Sequence, residues 1–128
     1  MPKSSRGAAF GDFDNDGDID VLVINLNERP SLYRNEGGNR NHWITLRLEG
    51  TRSNRHAIGA RVELQARGKT QVHEVRSGGS YLSHNDMRLH FGLGSTSHVD
   101  RIRIRWPNGN IEELPAMEGD RIVAIKEK

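Results

Sequence analysis

The chain contains no cysteine. That excludes a disulfide scaffold, a thiolate metal centre and a cysteine nucleophile. Aromatic residues make up only 5% of its 128 residues, too few for the stacking platform of a single-stranded nucleic-acid binder. No apolar run approaches the ~20 residues that a membrane-spanning helix needs. The opening stretch, MPKSSRGAAFGDFD, has no apolar core, so no signal peptide is expected within these residues. Helical periodicity is almost missing too, which points away from helical architectures.

What remains is short, alternating and rich in turns. Residues 19–25 (IDVLVIN) are mostly apolar and β-branched, as in a strand covered on both faces. Residues 43–48 alternate and stop at Glu49-Gly50. Residues 60–67 (ARVELQAR) alternate, turn at Gly68-Lys69, and return as residues 70–77, which reads as a hairpin. A short strand over 88–91 closes at Gly92-Leu93-Gly94. Residues 99–106 (VDRIRIRW) alternate strongly, Pro107-Asn108-Gly109-Asn110 marks a turn, and residues 111–114 return. Residues 121–125 form a last strand. Eight or nine short strands and no helix predict an all-β fold, an antiparallel β-sandwich or a related barrel.

Charge divides the chain. Residues 1–38 hold seven acids and four bases, net −3, whereas residues 39–128 hold ten acids and fifteen bases, net +5. The sign changes at the Gly-rich stretch Gly37-Gly38-Asn39-Arg40-Asn41, which places a boundary between a 1–38 unit and a 39–128 unit.

Five of the N-terminal acids sit in one motif, Asp12-Phe13-Asp14-Asn15-Asp16-Gly17-Asp18-Ile19-Asp20. Calcium takes six to eight oxygens at ~2.3–2.6 Å, and a tight loop presents them from alternate positions. Asp12, Asp14, Asp16 and Asp20 would give carboxylates, and Asp18 its backbone carbonyl. Gly17 allows the sharp turn. A helical EF-hand needs a bidentate Glu at loop position 12, but that position is Val23 inside a β-type run. A calcium site between two strands fits better, with Ca2+ the cofactor. Magnesium, with its octahedral demand and retained waters, fits less well.

Phe10-Gly11-Asp12-Phe13-Asp14-Asn15-Asp16-Gly17-Asp18-Ile19-Asp20-Val21 resembles the calcium loop of FG-GAP (VCBS-type) repeats, the blades of integrin-like β-propellers. Leu32-Tyr33-Arg34-Asn35-Glu36-Gly37 is similar to the outer strand that follows in such repeats. The resemblance covers one repeat, roughly residues 7–38. A propeller needs several blades, so it implies a single blade remnant, the last of a longer protein.

Residues 39–128 resemble the ASPIC/UnbV domain. The stretches that carry this are Ser53-Asn54-Arg55-His56-Ala57-Ile58-Gly59-Ala60-Arg61-Val62, Gly79-Ser80-Tyr81-Leu82-Ser83, Leu89-His90-Phe91-Gly92-Leu93-Gly94 and Trp106-Pro107-Asn108-Gly109. That family occurs at the C-terminus of FG-GAP proteins, many of them secreted. The resemblance implies an extracellular or cell-surface parent, and the function expected of the chain is recognition or adhesion at a surface, without catalysis.

Other constellations carry less. The six histidines form no H-x-x-x-H pair, which argues against zinc. Ser83-His84-Asn85-Asp86 are sequence neighbours, and a catalytic triad requires convergence in space. Gly92-Leu93-Gly94-Ser95 lacks the lysine and following helix of a phosphate loop. Asn54 and Arg55 either present hydrogen bonds to a ligand or structure their own loop. Tyr81 either stands at a loop tip or is buried.

Arg101, Arg103 and Arg105 alternate with Ile102 and Ile104, which places three guanidiniums on one strand face ~6.6 Å apart. That row either binds sulfated glycan, other acidic polysaccharide or nucleic acid, or is a solvated face opposing Glu112 and Glu113. Trp43 and Trp106 are expected as core anchors. The partners expected are a glycan or a protein at a surface. Nucleic acid is disfavoured, and a second copy is expected to pair through an exposed edge of the 19–25 strand. An accessory domain of a polysaccharide-acting enzyme is the alternative.

Overall fold

The computed structural model describes residues 5–37, 40–76 and 87–128. It is built from twelve strands: β1 (Ser5–Gly11), β2 (Asp20–Asn25), β3 (Ser31–Tyr33), β4 (His42–Glu49), β5 (Arg61–Ala66), β6 (Lys69–Glu74), β7 (Leu89–Gly94), β8 (His98–Val99), β9 (Arg101–Arg105), β10 (Ile111–Leu114), β11 (Met117–Glu118) and β12 (Arg121–Lys126). No α-helix occurs among the described residues, and no sheet among them closes into a barrel.

The four-stranded sheet β10-β9-β5-β6 and the three-stranded sheet β12-β4-β7 supply the core. The alternation explains why. Val62, Leu64 and Ala66 of β5 and Ile102 and Ile104 of β9 are buried, as are Ile44, Leu46 and Leu48 of β4 and Leu89, Phe91 and Leu93 of β7. Ile125 of β12, Trp106 just beyond β9, Val75, Val99, Ala57 and Ala60 complete the cluster. Burying one such side chain is worth roughly 1.5–3 kcal/mol, so this set dominates the stability of the molecule.

The β5–β6 hairpin turns through Arg67 and Gly68, with φ of +51° and +70°. Two consecutive positive φ values match the right-handed strand twist. The central bonding is antiparallel, with one departure. β12 runs parallel to β4, pairing Arg121 with Ile44 through Lys126 with Glu49.

The N-terminal residues form a separate sheet, β1-β2-β3, in which β2 is the middle strand. The expected free edge on the 19–25 strand is therefore corrected. Ser5–Gly11, too small and polar to signal a strand, covers one side of β2, and Ser31–Tyr33 covers the other. The open edges belong to β1 and β3. This sheet has little core of its own: Ala9 is its one buried hydrophobic residue, while Phe10, Leu32 and Tyr33 are about half exposed or more.

Candidate metal centre

The aspartate loop joins β1 to β2 and is organised by its own carboxylates. Asp12 is buried and accepts hydrogen bonds from the backbone N–H groups of Asp16 (3.1 Å) and Gly17 (2.9 Å). The Asp16 carboxylate accepts from the Asp18 N–H at 2.9 Å. Asp20, also buried, accepts from the Phe13 N–H at 3.3 Å and the Asn35 N–H at 2.8 Å, tying the loop to the segment after β3. Asn15 and Gly17 carry the positive φ values, +59° and +91°, that fold the loop back on itself.

One oxygen each from Asp12, Asp14 and Asp20 lie within 4.8 Å of one another. Three of the five expected ligands are thus brought together. Asp16 and Asp18 lie outside that trio. Asp16 is engaged in shaping the turn, and the Asp18 carboxylate is buried with one oxygen that has no hydrogen-bond partner. A buried carboxylate oxygen without a donor is costly unless a positive charge compensates it.

The local electrostatics carry the same strain. Partial burial, together with Asp16 alongside, pushes the Asp14 carboxyl above its ordinary pKa, and Arg34 pulls it the other way. Arg34 meets Asp14 at 2.9 Å. The donors are all hard oxygens on a short loop, the chemistry calcium selects.

The loop is not isolated. A β-carbon on Gly17 would lie 2.3 Å from the Trp43 indole, so only glycine allows that ring to seat against the loop. Trp43 is half-buried and lies outside the core cluster, which corrects the expectation of a core anchor; Trp106, 1% exposed, fulfils it. Arg88 also reaches across, donating to the Asp12 carbonyl and the Asn15 side chain. Neither contact was visible in sequence, because both partners are far from the loop along the chain.

The remaining expected residues separate. The Asn54 side chain is engaged within its own loop, accepting from the Ile58 N–H and donating to the Ile58 carbonyl, both at 2.9 Å. Arg55 is exposed beside a cavity of about 320 Å3 shared with Arg47, His56 and Arg88. Tyr81 and the Ser83–Asp86 stretch lie outside the described residues. Arg101, Arg103 and Arg105 do point from one exposed face of β9. Arg101 pairs with Glu113 on β10, and Arg103 approaches Glu63 on β5 at 3.8 Å. Glu112, expected to oppose the row, instead accepts the Lys128 N–H at 2.7 Å.

A carboxylate that sequence reasoning passed over organises the 51–53 loop. Glu127 is buried and accepts from the N–H groups of Thr51, Arg52 and Ser53 at 2.8–2.9 Å, and from Asn108 Nδ2 at 3.0 Å. Burial alone would raise its pKa, but these backbone donors and the Ser53 hydroxyl hold it down to about 2.

Comparison with known proteins agrees with this architecture. Residues 50–128 match the family described as ASPIC and UnbV, and residues 12–61 match the FG-GAP-like repeat. Over 118 residues the chain is 29% identical to cartilage acidic protein 1 of Xenopus tropicalis and 28% identical to that of Homo sapiens. Those alignments cover 89% of this chain and 18% of each relative. The Mus musculus protein is 29% identical over 109 residues, covering 82% of this chain and 17% of the relative. The chain spans under a fifth of the length of these curated relatives.

Proposed function

Because the chain belongs to the ASPIC and UnbV family, we propose that it is a calcium-binding, non-catalytic recognition module of an extracellular protein. The observation that carries the calcium reading is the convergence of Asp12, Asp14 and Asp20 within 4.8 Å, beside a buried Asp18 oxygen that lacks a donor. Asp12, Asp14 and Asp20 would hold the ion. Its charge would relieve the carboxylate repulsion and stiffen the loop that Trp43 and Arg88 clasp. The extracellular reading rests on the likeness to cartilage acidic protein 1 and to FG-GAP-like repeats. No helix among the described residues is long and apolar enough to cross a membrane. The partner would be a glycan or a protein at a surface, and any self-pairing would use the β1 or β3 edge.

Thermal unfolding in calcium and in chelator tests the reading. A ligand at 100 times its dissociation constant adds about 2.7 kcal/mol, several degrees for a domain of this size. Asp14→Asn removes one ligand while leaving intact the backbone hydrogen bonds to Asp12 and Asp20. The shift should appear in the parent and largely vanish in the variant. An equal melting temperature with and without calcium in the parent would sink the calcium reading.

A further inference from the structure

We propose that the exposed face of the four-stranded sheet carries a binding site for one isolated carboxylate or sulfate of an acidic glycan, formed by Arg61 and Arg105. This names a ligand class for the recognition role above and rests on that reading. The arginine row is not uniform. Arg101 and Arg103 are already matched by Glu113 and Glu63. Arg105 is not: its direct neighbour on β5 is Arg61, and its direct neighbour on β10 is Ile111. Glu74 stands opposite Arg61 on β6, yet it pairs with Arg76, at 3.9 Å. Among the described residues neither Arg61 nor Arg105 enters an ion pair.

Like charges directly opposite on paired strands destabilise a sheet. Two exposed guanidiniums facing each other without a counter-ion are therefore a local cost that an anion would relieve. Arginine's planar fork suits a carboxylate or sulfate bidentately. Both line a shallow cavity of about 260 Å3 together with Glu63, Arg103 and Ile111. The setting selects the ligand. Glu63 and Glu113 interrupt the basic row, so a polyanion such as nucleic acid meets alternating charge rather than the continuous basic track it needs. A single acidic group flanked by hydroxyls fits instead, with the Glu63 carboxylate as acceptor and the half-exposed Ile111 against the sugar's C–H face.

Calorimetric titration of the full 128-residue chain in calcium tests this. The probes are a glucuronic acid-containing disaccharide, a monosulfated disaccharide, lactose and a DNA duplex. At least one acidic disaccharide should bind, and which one binds tells carboxylate from sulfate. Arg61→Gln and Arg105→Gln should each weaken it about tenfold or more, the loss expected for a charge-assisted hydrogen bond. Arg101→Gln should change it less than twofold. The melting temperature of Arg105→Gln should hold or rise, which distinguishes lost binding from lost fold. Equal binding of lactose, an equal loss in Arg101→Gln, or tighter binding of DNA would overturn the proposal. So would no acidic binding at millimolar concentration. If the calcium-dependent melting shift survives that failure, the recognition site alone is wrong; if the shift is also absent, the calcium reading falls with it.

Discussion

At the scale of single residues, the clearest lever is Glu127. Its pKa of about 2 in the folded chain lies below the ordinary 4.5. A carboxyl with a depressed folded pKa contributes stability that is present above about 4.5 and is lost as pH falls from there toward 2. Melting temperature recorded across that window should decline steeply in the parent and less so in Glu127→Gln, which should already melt lower at pH 7. The loss would arise because the N–H groups of Thr51, Arg52 and Ser53 face a neutral amide. Arg34 offers a second test at this scale. Its ion pair with Asp14 competes with any cation held there, so Arg34→Gln should tighten calcium binding by a few fold in an isothermal titration.

Among elements, those with strong alternation were legible and those held by distant contacts were not. β5, β6, β9 and β10 follow from Val62-Glu63-Leu64, the Gly68 turn, Ile102-Arg103-Ile104 and the Asn108-Gly109 turn, all local signals. β1 is Ser-Arg-Gly-Ala-Ala-Phe-Gly, with no alternation and weak strand preference; pairing with β2 makes it a strand. The aspartate loop was legible because its ligands are spaced within one turn. Its seat was not, since Trp43 and Arg88 reach it only through the fold. Gly17→Ala tests that seat. A side chain at φ +91° aimed into the indole should cost about 1–3 kcal/mol and abolish the calcium-dependent shift, whereas Gly92→Ala, where a β-carbon meets open space, should leave that shift intact.

For the whole molecule, stability is distributed unevenly. The sandwich holds a contiguous core of fully buried Ile44, Leu46, Val62, Leu64, Phe91, Ile102 and Ile104. The β1-β2-β3 sheet exposes Phe10, Leu32 and Tyr33 and leans on the sandwich through Gly17, Trp43 and Arg88. Amide hydrogen exchange should find β1 to β3 opening well below the global unfolding free energy, and β4, β5 and β9 only near it. Calcium should raise protection mainly in β1 and β2. Uniform protection across both parts would show that the N-terminal sheet shares the sandwich's cooperativity.

The parallel pairing of β12 with β4 also sets a timetable. A strand near the beginning of the sandwich receives this lateral partner only after β12, roughly 70 residues further along the chain, has been translated. At roughly 5–20 residues per second, β4 would wait on the order of 4–15 s on the ribosome with one edge unpaired. Until then Ile44, Leu46 and Leu48 lack the cover of Ile125. The aspartate loop, by contrast, closes through neighbours a few residues away. During synthesis the ion-binding loop can therefore take shape early, while the sandwich stays open to chaperones, or to a strand of another chain, until β12 emerges.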